Sequence, residues 1–494
     1  MTMKRDWQDF LDGSRSARSA RESGVYADSI IEQDGSTLFL VNDAGRRKLI
    51  VKGSMSELFD GAVSADTVVC DANVQNAYKL MQIFEQLRPK SHQGSPASFG
   101  LGDRLGCATP GQLLAIRETG VFPVLAQQSM RELGLTGRDY RQVIADACFG
   151  VMAAGWQDRY GADGDHLKRR EEVAQALDAG CTMITLDLSG EMAPRYRTMA
   201  GEALSAAFES AFGTAGQSLI QDYSSICIGG NATLVAPEDL KRCAMLYKDA
   251  FAFVEDVWKQ QIIPLGKPID LEISIDETDD ETTPAEHYFV AMELKRRGVC
   301  IASLAPRFPG EFQKAVDYYG NTDDLARSLH LHAAIARDSG HKLSIHSGSD
   351  KWTAFPLIGK YTGGRYHIKT SGTNWLEMVK MIAGQNPDLY RRMHKHALTA
   401  FDEARKNYHV SAQPARIPNV DTLADRQLPG LFAQDDVRQL MHITYGQILN
   451  DKDHEGEYLL RGEIFQTLEA NENAYWDLLH KHIGRHLHLL GACQ

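Results

Sequence analysis

Eight short segments of this chain, all but one ending on a charged or polar residue, recur along its length, and most are followed by a stretch with helical periodicity. In order they are ASFGLGDR (Ala97 to Arg104), FPVLAQQ (Phe122 to Gln128), YGADGDH (Tyr160 to His166), MITLD (Met183 to Asp187), DLEISIDE (Asp270 to Glu277), VCIASLA (Val299 to Ala305), KLSIHS (Lys342 to Ser347) and YHIKTS (Tyr366 to Ser371). Few folds accommodate that pattern. Strands alternating with single helices pair in parallel through right-handed crossovers. Eight such units close into a barrel that gathers its strand ends in one mouth, where its chemistry sits. The expected fold is therefore α/β, a (β/α)8 TIM-type barrel.

With 494 residues, the chain exceeds the roughly 250 residues of a plain barrel, so it carries additions. Residues 1–95 read as an N-terminal cap or accessory layer: a helix-like start, then STLFLVND and RKLIVKG flanking Asp43-Ala44-Gly45 as a β-hairpin. The barrel spans 96–384. It is interrupted after its fourth strand by a mostly helical insertion, 190–265, expected to lie over the mouth. Residues 385–494 form a helical C-terminal region. Helix punctuation recurs: Thr109 as a cap, Pro110 in the first turn and Gly120 at the stop, with the same grammar in GRDYRQVIADACFGVMAAG, LKRREEVAQALDAG, TPAEHYFVAMELKRRG and NTDDLARSLHLHAAIARDSG.

Hydrophobic residues at 43% and charged ones at 24% match a globular protein with ample core. A net charge of -12 without a Lys/Arg block argues against a nucleic-acid partner and leaves a small molecule as the ligand. No stretch approaches the ~20 apolar residues of a membrane span, and the first residues lack the apolar centre of a signal peptide. A cytoplasmic enzyme without a membrane partner is expected, and its oligomeric state, monomer or homo-oligomer, stays open. The cysteines show no CxxC or paired spacing, so neither a disulfide framework nor a cysteine zinc site is expected. The last helix carries His480, His482, His486 and His488; lacking a nearby carboxylate or cysteine, it reads as a solvated amphipathic helix.

Alternation along a strand separates axis-facing side chains from those that meet the helices. If Leu343 and Ile345 face the helices, Ser344 and His346 face the axis. Likewise Glu272, Ser274 and Asp276 face inward from the fifth strand, His367 and Lys369 from the eighth, and Thr185 and Asp187 from the fourth. Carboxylates and imidazoles converging in a barrel are costly unless paired or bound to a cation. Three imidazoles, His166, His346 and His367, with open positions describe a site for a divalent metal such as Zn, Mn or Ni. Asp165, beside His166, is the candidate base. Glu272, deep in the fifth strand, is the opposing acid or, in the alternative, itself a ligand in place of a histidine. Asp163 reads as a turn or cap residue. Asp103, Arg104, Gln128, Asp187, Lys351 and Lys369 are the candidates for holding a substrate that is anionic or rich in hydroxyls. The KTSGTNW turn has the form of an anion-binding nest before a helix.

The strings SFGLGDRLGCATPGQ, GADGDHLK, SIHSGSDK, IKTSGTNWLE and MHITYG together resemble the tagaturonate epimerase family. The resemblance runs over most of residues 90 to 450. It implies a metal-dependent barrel epimerase interconverting tagaturonate and fructuronate. It also implies Asp165 and Glu272 as the acid-base pair and His166, His346 and His367 as ligands. The two uronates differ at a carbinol β to the ketone, whose C–H is not acidic. Retro-aldol cleavage and re-addition would invert that centre, and stepwise migration of the carbonyl is the competing route. A tagatose/fructose 4-epimerase, a metal-dependent sugar aldolase and a non-catalytic sugar sensor are the alternatives.

Overall fold

The structure, a computed structural model, describes residues 6–12, 24–43 and 45–492. All eight anticipated strands are present: β1 (Ser98–Leu101), β2 (Phe122–Ser129), β3 (Gly161–Leu167), β4 (Met183–Asp187), β5 (Asp270–Ile275), β6 (Ser303–Pro306), β7 (Lys342–Ile345) and β8 (Tyr366–Thr370). They pair in parallel in sequence order, and β8 closes on β1, Lys369 opposite Gly100. The molecule is thus a mixed α/β protein built on a (β/α)8 barrel.

The helices begin and stop where local chemistry dictates. Asp139 accepts the Gln142 N–H to cap Tyr140–Ala153, and Thr283 and Glu286 form a capping box on Pro284–Arg296. Gly180 and Gly340 end the helices before β4 and β7 in the left-handed conformation. One expectation is corrected. Thr109 is the first helical residue, not the cap, because Asp103 already takes the N–H groups of Leu105, Gly106 and Ala108 at 2.7–3.0 Å.

Apolar strand residues facing outward, among them Ile184, Leu186, Leu271, Ile273, Leu343 and Ile368, are fully buried against the helices. Inside, the barrel floor is plugged by Phe122, Val124 and Met183, a separate small cluster. Above the floor the interior is polar.

Two irregularities decide what faces the axis. The β2–β3 register shifts between Val124 and Ala126, so Gln127 comes level with Asp163. The β3–β4 register shifts between Gly164 and Leu167, and His166 there takes φ 53°. A bulge leaves one residue unpaired and bends the strand. Consecutive residues Asp165 and His166 can therefore both line the interior.

The hairpin pairs Ser36–Asp43 with Arg46–Lys52; its turn residue Ala44, like residues 1–5 and 13–23, lies outside the described residues. The hairpin belongs to a five-stranded antiparallel sheet buried on both faces. Leu38, Leu40, Leu49 and Val51 join the main core, while Phe39, Val41 and Ile50 meet Trp7, Phe10 and Val25.

Of the insertion, Met192, Pro194 and Arg197 line the outer part of the mouth, while its longer elements pack against the outer helices. Its long helix, Pro237–Val257, packs against Pro284–Arg296, and its hairpin, Ser225–Ile228 with Asn231–Leu234, packs on the outer helix Thr322–Ser339. The C-terminal region reaches the inner part of the mouth, through Tyr408 and His442. Its last helix, Glu472–Leu489, lies along the helices that follow β1 and β8. That helix is not a solvated one. His486 is buried, and His482 pairs with Asp350 at 2.7 Å and with Glu377 at 3.0 Å.

Candidate active site

At the strand C-termini lies a cavity of about 280 Å³ that opens into an outer chamber of about 760 Å³. On its floor the ammonium of Lys369 crosses the axis from β8. It stands 2.8 Å from Asp163, 2.6 Å from Asp165 and 3.0 Å from Glu272, and it also donates to Thr185. Burial alone would neutralise such groups. Mutual attraction prevails for most of them. Desolvation opposes ionisation of Asp165 and Glu272, but Lys369 and the neighbouring imidazoles hold both carboxyls below their usual range. Asp163, entirely buried, stays pushed up to about 6 because desolvation outweighs Lys369. It is an axial strand residue and not the turn cap expected of it.

Glu272 is overlain by His346. The imidazole Nε2 sits 2.8 Å from Glu272, and Nδ1 lies 3.1 Å from Asp276, out of line for a hydrogen bond. Burial works against the imidazolium, but Asp276 and Glu272 outweigh it and push His346 up to about 10. His346, not Glu272, forms the cavity wall. The His166 ring lies 4.7 Å from that of His346, and its Nδ1 is 3.4 Å from Asp187.

The wall includes Arg104, Asp165, His166, Asp187, His346 and Lys369. The other candidates stand elsewhere, each for a local reason. Asp103 is consumed by its turn. The β2 bulge turns Gln127, and not Gln128, into the cavity, where the absent side chain of Gly100 leaves it room: a Cβ there would lie 1.6 Å from Gln127 Oε1. Lys351 donates to the carbonyls of Gln313, Val316 and Ser349 at 2.6–2.9 Å, which uses all three of its N–H groups. His367, two residues before Lys369, faces the axis one layer below, with Nδ1 2.9 Å from Ser98. It does not converge with His166 and His346.

Several wall residues were not picked out from the sequence: Lys314 after β6, Glu277 after β5, Tyr408 and His442. His442 approaches so closely that a Cβ on Gly372 would fall 1.7 Å from its ring. Arg104 spans from Glu132 (3.1 Å) to the His442 carbonyl (3.1 Å) and lies over the Tyr445 ring at 3.7 Å. Among the wall residues not picked out, Glu277 closes its strand segment and His442 lies within the MHITYG string, whereas Lys314 and Tyr408 carried no signal.

Two groups among the described residues bring three potential metal donors within 4.8 Å of one another. One is Asp350, His482 and His486. There Arg438 already sits 2.7 Å from Asp350, and His486 Nε2 accepts the Asp350 N–H, so its donors are spent. The other is His166, Asp187 and Glu277, all in the cavity wall. One imidazole with two carboxylates is a donor set suited to a borderline divalent ion.

The geometry can be set beside known proteins. The tagaturonate epimerase family model matches residues 26–490. The tagaturonate/fructuronate epimerase of Thermotoga maritima is 38% identical over 474 residues, 94% of this chain and 96% of that protein. A glycerol complex of the fructuronate-tagaturonate epimerase UxaE from Cohnella laeviribosi superimposes with a TM-score of 0.93 at 40% identity, covering 99% of this chain and 100% of that one. The native crystal structure of that enzyme gives 0.91 at 41% identity, covering 97% and 100%. Among the described residues no helix is long and apolar enough to cross a membrane. This chain, an enzyme of the isomerase class, belongs to the tagaturonate epimerase family.

Proposed function

We propose that the protein interconverts D-tagaturonate and D-fructuronate by opening and re-forming the carbon–carbon bond next to the inverted carbinol. One observation carries this reading. A continuous chain of short contacts runs from Asp165 through Lys369 and Glu272 to His346, and its two ends, Asp165 and His346, both face the cavity.

In this scheme the Asp165 carboxylate accepts the proton of the substrate hydroxyl. The C–C bond electrons pass into the ketone side as an enediolate, and the hydroxyl carbon becomes an aldehyde. Rotation of the aldehyde presents its other face. The enediolate then re-adds, and the His346 imidazolium delivers a proton to the new alkoxide. The proton on Asp165 returns to His346 along Lys369 and Glu272, so the cycle closes without an outside reagent. Glu272 acts through His346, which it orients and keeps charged. Two acid-base groups on opposite faces are what inversion through a planar aldehyde requires.

His166, Asp187 and Glu277 would hold a divalent cation at the edge of the same cavity. When bound, that ion would supply Lewis-acid stabilisation of developing negative charge on the substrate. Chelation that abolishes turnover, with recovery on adding Mn, Ni or Zn, supports this part; full activity after complete stripping overturns it.

The route has its own test in deuterium oxide. Retro-aldol inversion never breaks the C–H bond at the inverted carbon, so fructuronate formed from tagaturonate carries no deuterium there. Deuterium at that position would establish carbonyl migration instead, and accumulation of two shorter fragments would mark an aldolase.

A further inference from the structure

Four cationic side chains besides Lys369 border the cavity: Arg104, Arg131, Lys168 and Lys314. Arg104 is paired with Glu132 at 3.1 Å and Lys168 with Asp187 at 3.3 Å. Arg131 is solvent-exposed, lying over the Tyr408 ring and giving one N–H to the Asn407 carbonyl. Lys314 differs. Its ammonium donates to Ser347 Oγ at 2.8 Å, and no carboxylate lies within ion-pair distance of it among the described residues. It stands where the inner cavity meets the outer chamber, in the wall of both. Burial, with repulsion from Arg131, lowers its pKa. A desolvated ammonium with donors to spare is costly to keep unless an anion arrives.

The surroundings fix this side chain in place. Lys351 ties down the Gln313 and Val316 carbonyls on either side of it. Arg438 Nε donates to the Ala315 carbonyl at 2.7 Å, and Gln439 to that of Lys314 at 3.3 Å. Ala315 is itself held at φ 63°, a strained position for a residue with a Cβ. A loop braced at four consecutive carbonyls, with a non-glycine residue in the left-handed region, presents one lysine in one direction. Binding then sacrifices little side-chain freedom.

We infer that Lys314 receives the carboxylate of the substrate, and that it is the residue by which this enzyme selects a sugar acid. This assignment rests on the uronate reading above. It places the carboxylate at the outer end of the cavity and leaves the proton-handling groups on the floor for the carbinol end.

The test uses Lys314→Met, which keeps the bulk of the side chain and removes its charge, and Lys314→Arg, which keeps the charge. With tagaturonate as substrate, the methionine variant is expected to raise KM by about tenfold or more, with kcat within about threefold of wild type. The arginine variant is expected to keep KM within about threefold. A methionine variant with KM within twofold of wild type overturns the assignment, as does an arginine variant as impaired as the methionine one, since packing and not charge would then matter. A fall in kcat at constant KM overturns it too. Wild-type enzyme that neither binds nor converts tagaturonate would instead remove the uronate reading, and this assignment with it.

Discussion

The ammonium of Lys369, on β8, stands 2.6 Å from the carboxylate of Asp165, on β3. That contact joins opposite sides of the barrel, and through Glu272 it extends to His346. Replacing Lys369 by Met would remove the one ammonium shared by Asp163, Asp165 and Glu272 and leave only the neighbouring imidazoles to offset their charge. Losing one partner of a buried ionic group costs about 3–5 kcal/mol, so denaturant unfolding should show a loss of that order. Asp165 and Glu272, no longer held down, should titrate higher, moving the acidic limb of the activity profile upward in pH. A variant as stable as wild type with an unmoved profile would refute the central role of this lysine.

Asp165→Asn keeps size and removes the base. Turnover of tagaturonate should fall by about 10²–10⁴-fold with KM little altered, measured by steady-state kinetics on protein of unchanged melting temperature. Unchanged kcat would disqualify Asp165 as the proton acceptor.

Glu277→Gln tests the cation site without touching the proton path. The metal concentration for half-maximal activation should rise by roughly 10–100-fold, while activity at saturating metal stays closer to that of wild type. If activation is identical in both proteins, Glu277 is not a ligand.

His482 gives a prediction on stability. Burial disfavours its charge, yet Asp350 and Glu377 raise its pKa from 6.5 to about 9. Because the folded value exceeds the unfolded one, the stabilisation is complete below about pH 6.5 and fades as pH rises through about 9. The excess stability of wild type over His482→Gln should therefore be larger at pH 6 than at pH 9.5 in urea titrations. A difference independent of pH would show that this pair contributes only packing.

Much of this was legible in the sequence because strands and helices announce themselves through period and punctuation. All eight strands and the inward direction of His346, Lys369 and Asp187 follow from simple alternation. Alternation failed where the backbone breaks it. A bulge in β2 exchanges Gln128 for Gln127, and no residue type marks that bulge beforehand. Depth was equally hidden. His367 and Lys369 share a direction, yet two residues along a strand separate a floor lysine from a histidine bonded to Ser98. Lys314, Tyr408 and His442 come from loops and the C-terminal region, whose positions depend on tertiary packing and leave no periodic trace.

The last helix touches the molecule at separated points. Glu472 meets Arg47 and Tyr26 of the N-terminal layer, Tyr475 bonds Asn374 beside β8, and His482 holds Asp350 in the loop after β7. That loop begins at His346. During synthesis the chain emerges N-terminus first, so Asp350 has no imidazole to pair with until the helix Glu472–Leu489 has been made. All eight barrel strands precede that helix in the chain, and the loop that frames the proposed acid-base pair is completed only when the helix docks. A chain interrupted before Glu472 would carry Asp165, Glu272, His346 and Lys369 and still lack the frame that positions them.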